Sequence, residues 1–176
     1  MLADYISPGN RVELKATGKI WMDEDARTRH IYMSKAPQNI FVAGFIGSPS
    51  MNLLELNAEK EGNGLLLSGE NIKIKVKAEE GFNPGKIIVG ARPQDFIFGE
   101  KEGEITGTVE IVEALGRMSL IHVAVSENVK ITAETESETA RKYDIGDKIS
   151  LSMKHEKLHF FDSAAQTRIS DKIGNL

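Results

Sequence analysis

The stretch NIKIKVKA, residues 71–78, sets Ile72, Ile74 and Val76 against Lys73, Lys75 and Lys77 in strict alternation. Successive side chains of an extended chain point to opposite faces, so the aliphatic set turns to a core and the lysines to water. The same signature recurs further along. Ile105, Val109 and Ile111 alternate with Thr106, Thr108 and Glu110. Ile121, Val123 and Val125 make another inward set, and Ile149, Leu151 and Met153 alternate with Ser150, Ser152 and Lys154. Turn signals separate the runs: Gly62-Asn63-Gly64, Asn83-Pro84-Gly85, Gly99, Gly103, Gly116 and Gly146-Asp147. Many short strands divided by glycine turns predict an all-β sandwich or barrel.

GNRVELKA (9–16), GKIIVGA (85–91) and GDKISLSM (146–153) share a local shape: a glycine, polar residues, then a strand. Only two segments read as helical. PQNIFVAGFIG (37–47) spaces Ile40, Phe41, Gly44 and Phe45 as one or two helical turns ending near Gly47, with Pro49 beyond. Ser137 to Tyr143 makes a short helical turn before Asp144-Ile145-Gly146.

Composition narrows the function classes. The 176 residues, 40% hydrophobic, suffice for one fair-sized domain or two small ones. With no cysteine, disulfides, cysteine–zinc sites and thiol nucleophiles are excluded. A formal charge of −4 argues against a broad nucleic-acid surface. No apolar run approaches the roughly 18 residues of a membrane span. The opening MLADYISPGN has neither a basic nor an apolar leader region, so a soluble, cytoplasmic chain is expected.

One motif points to chemistry and fails on geometry. His155, Glu156 and His159 stand in the order H-E-x-x-H, the spacing that places two imidazoles on one metal when it lies on a helix. Here ISLSM precedes it as a strand and Phe160-Phe161-Asp162 follows. On a strand, residues four apart share a face but lie roughly 13 Å from each other, too far for one tetrahedral zinc. Asp162 and Ala165 stand where the extended zinc motif needs glycine and histidine. The expected structure is a polar turn entering a last strand, with Leu158 and Phe160 on one face. LSGEN (67–71) lies between two strand patterns with no phosphate-cradling glycine loop to serve. His30 and His122 have no triad partners, His122 sitting on a strand opposite Ile121 and Val123. The acidic clusters at 23–25 and 134–138 read as solvated loops. No catalytic residue, cofactor or metal is expected.

A more specific pattern is PQNIFVAGFIGSPSMNLLEL (37–56). Pro37, Asn39, Phe41, Val42, Ala43, Phe45, Ile46, Gly47, Ser48, Pro49, Met51 and Asn52 match the linker after the nucleotide-binding domain in ATPase subunits of bacterial carbohydrate importers. This is the ABC-transporter family of the maltose and sn-glycerol-3-phosphate type. VGARPQDF (89–96) resembles the family's G-I-R-P-E-D element through Gly90, Arg92, Pro93 and Asp95, departing at Ala91 and Gln94. VEIVEALGRMSLIHV (109–123) and IGDKISLSMKHEKLHFFD (145–162) resemble its later strands, and on that alignment His159 is an ordinary strand residue.

The resemblance covers residues 36–170. It implies an all-β, OB-type or TOBE-like β-barrel with one or two short helices. The division it implies is an atypical segment 1–35 in place of the ATPase domain, a linker helix 36–52, the regulatory barrel 53–170 and a tail 171–176. The implied function is a non-catalytic regulatory and dimerisation domain of a carbohydrate importer ATPase subunit. The implied partners are a second copy or an importer ATPase subunit, and a phosphotransferase-type regulatory protein. Nucleic acid is not a partner, and the membrane is reached only through a transporter at its inner face. The alternative is a small-ligand, oxyanion-binding barrel module, as molybdate-binding domains share this barrel type; the T-S-A-R-N-like element of those proteins is absent.

Residues 1–35 resemble the opening of flagellar-brake proteins with PilZ domains, but the R-x-x-x-R and D-x-S-x-x-G ligands of cyclic di-GMP are missing. RVELKA offers Val12 and Leu14 to cover an otherwise exposed sheet edge. Candidate partner contacts are Arg92, Pro93 and Asp95, at a turn where side chains face outward, with mutual pairing of Arg92 and Asp95 or capping of the turn as the alternative. Phe41 and Phe45 either pack a short helix on the barrel or dock to an ATPase domain. With Ile40 and Ile46 they are expected to form an exposed patch that favours a homodimer.

Overall fold

The computed structural model describes residues 12–14, 18–20, 37–45, 47–82, 85–99, 101–170 and 172–174. Strand β1 (Val12–Leu14) pairs antiparallel with β2 (Gly18–Ile20) in a two-stranded sheet of its own. RVELKA was expected to cover an edge of the barrel; among the described residues its ladder partner is β2 instead. The remaining strands form one eleven-stranded, mostly antiparallel sheet curled into a half-barrel. Helix α1 (Ile40–Phe45) leads into β3 (Asn52–Glu61), β4 (Gly64–Gly69), β5 (Ile72–Ala78) and β6 (Lys86–Ala91). A 3-10 turn, Pro93–Asp95, enters β7 (Phe96–Phe98), followed by β8 (Ile105–Leu115), β9 (Met118–Ala124) and β10 (Lys130–Glu136). Helix α2 (Ser137–Ala140), β11 (Lys148–Met153), a 3-10 turn at His155–Lys157, β12 (His159–Asp162) and β13 (Ile173–Gly174) complete the chain.

The spatial order is β10-β9-β8-β5-β4-β3-β6-β12, with β11 bridging β7 and β8. The alternation in β5 is realised: Ile72, Ile74 and Val76 are buried and the three lysines exposed. Ile121, Val123 and Val125 are buried, as are Ile149, Leu151 and Met153. Together with Leu54, Leu56, Leu65, Leu67, Ile87, Val89 and Phe160 they form one continuous core. Burying a side chain of this size removes about 1.5–3 kcal/mol of unfavourable hydration, which is why the pattern fixes register so firmly.

Strand β8 departs from the alternation. Val109 lies opposite Val123, but Ile111 lies opposite His122, so Glu110 is an extra residue in the ladder. A bulge of one residue inverts the facing of everything beyond it. Ile111, expected inside, is therefore 48% exposed, and Val112 packs against the core in its place. Gly107, before the bulge, has no room for a side chain: a β-carbon there would sit 2.5 Å from Val123 Cγ1.

Candidate functional site

Residues 37–52 build the junction between the linker and the barrel. Asn39 caps α1, its Oδ1 accepting a hydrogen bond from the Val42 N–H at 2.9 Å. The segment is held by the chain beyond β12: Ile40 N donates to Gln166 O and Arg168 N to Gln38 O. The helix lies on the outer face of β6 and β12. Its Ala43, with Met51, packs on Phe161, and half-buried Ile40 and Ile88 complete this second cluster. Phe160 faces the main core and Phe161 the helix, so both are buried although adjacent.

Helical geometry then decides where the other two rings go. Phe41 and Phe45 are four residues apart and share one side of the helix, away from Ala43. Packing of both rings on the barrel was expected as the ordinary outcome, and it does not occur: Phe41 is 61% and Phe45 78% exposed. They stack on each other instead, ring centroids 5.9 Å apart and planes 5° from parallel. The expected four-residue apolar patch is narrower than the sequence implied, because Ile40 is half-buried; Ile46 lies outside the described residues.

The predicted outward turn at residues 92–95 is also corrected. Pro93 and Asp95 are buried, Arg92 is partly exposed, and Gln94 alone of the four is exposed. Asp95 N donates to Arg92 O at 2.9 Å, closing the 3-10 turn, and Asp95 O accepts from Lys154 N at 2.9 Å. Burial pushes the Asp95 carboxyl above its ordinary range, against the pull of Lys154, Lys157 and Arg92. Arg92 reaches back to the linker: a β-carbon on Gly47 would stand 3.1 Å from its Nη1. The Arg92 guanidinium thus lies beside the linker at Gly47.

His159 lies opposite Gly90 in the β6–β12 ladder. Burial, and then the charges of Arg168 and Arg92, push its imidazole down to about 4. Its buried Nδ1 has no hydrogen-bond partner among the described residues. His155 sits on a separate 3-10 turn, where its Nε2 is hydrogen-bonded to Glu104 Oε1. The two histidines of H-E-x-x-H thus belong to different elements, a polar turn and the strand it enters. His122, partly packed on the outer face, contacts Glu113 and Thr132.

Asn52 has a structural role that its sequence context barely signals. The Asn52 amide donates to Ala91 O at 3.1 Å and to Thr132 O at 2.9 Å, and its Oδ1 accepts from Thr132 N at 2.8 Å. It fastens β10 to the start of β3 and the end of β6. The one available signal was a polar residue opening an otherwise alternating strand, NLLEL.

No helix among the described residues is long and apolar enough to cross a membrane. Comparison with known families gives two matches in tandem: the MalK OB fold domain over residues 47–96 and the TOBE domain over residues 89–161. The ABC transporter ATP-binding protein YurJ of Bacillus subtilis is 29% identical over 94% of this chain and 47% of its own length. The alpha-glucoside transport ATP-binding protein AglK of Rhizobium meliloti is 33% identical over 74% of this chain and 37% of its own length. The sn-glycerol-3-phosphate import ATP-binding protein UgpC 2 of Agrobacterium fabrum is 31% identical over 76% of this chain and 35% of its own length. The chain thus spans less than half the length of these relatives. The two matched domains cover the curled sheet from the cis Ser48–Pro49 bond to Phe161, and the chain belongs to the family of MalK-type OB-fold and TOBE domains found in ATP-binding subunits of bacterial carbohydrate importers.

Proposed function

We propose that this chain acts as a non-catalytic regulatory and dimerisation domain of a carbohydrate-importer ATP-binding subunit, and that it works by docking and not by chemistry. The observation that carries this reading is the Phe41–Phe45 stack, held on a capped helix immediately before the barrel. Aromatic side chains on a rigid support are favoured interface anchors because they bury much area at little entropic cost. The anchoring of Ala43 against Phe161 supplies that rigidity. The partner is an importer ATP-binding subunit or a second copy of this chain, and a phosphotransferase-type protein is the regulator that the barrel receives. Arg92, Pro93 and Asp95 contribute by holding the linker, and the membrane is approached only through the transporter, at its cytoplasmic face.

Light scattering on the purified chain, alone and mixed with a full-length importer ATP-binding subunit, tests the reading. A dimer or a mixed complex is expected, and it should be lost in Phe41→Ser/Phe45→Ser. A monomer that ignores the ATPase at high concentration overturns the docking role. ATP turnover by the pure chain overturns the non-catalytic one.

A further inference from the structure

A cleft of about 640 Å³ opens where β8 leaves β5, remote in sequence from the linker. The two strands share a single ladder pair, Ile72 with Ile105, so the sheet gapes beyond it. Asn71 spans the gap: its Nδ2 donates to Val125 O at 2.7 Å and its carbonyl accepts from Thr106 N at 3.0 Å. On β8 and β11, Thr108 lies opposite Lys148 and Thr106 opposite Ser150. Residues two apart on each strand share a face, so these four polar side chains form one cross-strand quartet. Lys101, on the loop before β8, also lines the cleft, as does half-buried Tyr143, whereas Val125 and Ile149 reach its edge from the core with almost no exposed surface.

Three lysines elsewhere on the sheet are neutralised across strands: Lys75 by Glu61, Lys86 by Glu55 and Lys130 by Glu110. Lys101 and Lys148 have no carboxylate partner among the described residues, and no acidic residue lines the cleft. Lys148 Nζ instead donates to Thr108 Oγ1 at 2.8 Å. Two ammonium groups with no carboxylate partner among the described residues, beside two threonine hydroxyls, put positive charge at one concave place. The volume falls within the range of small-molecule sites, and convergent polar groups beside one aromatic ring are among their usual components.

We propose that this cleft binds a small organic phosphate, with the phosphate held by Lys101, Lys148 and the Thr106 and Thr108 hydroxyls and the organic body against Tyr143. A phosphate monoester carries nearly two negative charges at neutral pH and several acceptor oxygens, which matches two ammonium groups and adjacent hydroxyl donors. Occupancy would tie the β7–β8 loop to β11 and α2's following loop.

Amide NMR titration of the full chain with glucose 6-phosphate, with glucose as the uncharged control and inorganic phosphate as the bare anion, tests this. Saturable shifts at Gly99, Thr106, Gly107 and Ser150 are expected with glucose 6-phosphate, weaker binding with inorganic phosphate and no response to glucose. Lys101→Gln/Lys148→Gln should weaken binding about tenfold or more, by loss of charge-assisted hydrogen bonds, with the melting temperature held. Both side chains are exposed, so the variant keeps its fold. Absence of saturable shifts at the cleft, or binding that the double variant leaves unchanged, overturns the proposal. Equal affinity for inorganic phosphate overturns the role given to Tyr143.

Discussion

Asn52 is hydrogen-bonded at both ends of its amide to the main chain of Thr132, 80 positions further along the chain. The strands β3, β4, β5, β8, β9 and β10 follow one another in the sheet, and the first and last of them meet through this side chain. The curl is thus latched by a side chain at a place where the strands themselves form no ladder among the described residues. An amide is suited to the task because it both donates and accepts, as a main-chain peptide group does.

Asn52→Ala should accordingly cost about 2 kcal/mol or more, since it strands the Thr132 N–H and two carbonyls in a partly buried seam. Asn52→Asp should cost at least as much, because a carboxylate oxygen would then face Ala91 O and Thr132 O. Urea denaturation of the two variants checks both values.

Stability should fall in mild acid. The folded His159 imidazole titrates at about 4, below its ordinary 6.5. Between those values the unfolded chain binds more protons, so stability rises with pH, by about 1.4 kcal/mol per unit in mid-window, and levels off above 6.5. Asp95 acts in the opposite sense, since its raised carboxyl favours the folded state as pH falls through its own range. Unfolding curves at pH 5 and pH 7 should differ clearly in the wild type and much less in His159→Phe.

Gly90 admits no side chain without movement: a β-carbon would lie 2.6 Å from Met51 Sδ and 3.2 Å from Phe161 Cε2. Gly90→Ala should destabilise by about 1–3 kcal/mol, as overpacking does. Adding Met51→Ala should cost less in that background than alone, because the thioether is what the new methyl strikes. A double-mutant cycle measures the coupling.

The bulge in β8 predicts an asymmetry between neighbours. Val112→Lys should cost about 1–3 kcal/mol, because it turns a charge toward the core. Ile111→Lys should fall within about 0.5 kcal/mol of the wild type, as at other solvated positions. Equal losses at the two sites in thermal melts would contradict the register.

What the sequence determined by itself is the strand content and, for most strands, the inward face. In β5, β9 and β11 burial of aliphatic groups outweighs every local preference, and its period of two can be read directly from residues 72–76, 121–125 and 149–153. The failure of H-E-x-x-H as a metal motif was legible for the same reason, since the chain around His155 and His159 carries no helical period. Tertiary structure decided what depends on contacts between distant segments. Whether Glu110 is absorbed as a bulge depends on the partner strand β9, so the outward turn of Ile111 is invisible locally. Phe161 and Met51 accept only Ala43 and Ile40 from α1, which leaves Phe41 and Phe45 in solvent although all these side chains look alike to a hydrophobicity pattern. Lys101 and Lys148 stand far apart in the chain and line one cleft only because β8 and β11 pair beside an open seam, and the closing hydrogen bonds of Asn52 have no meaning until Thr132 is brought beside it.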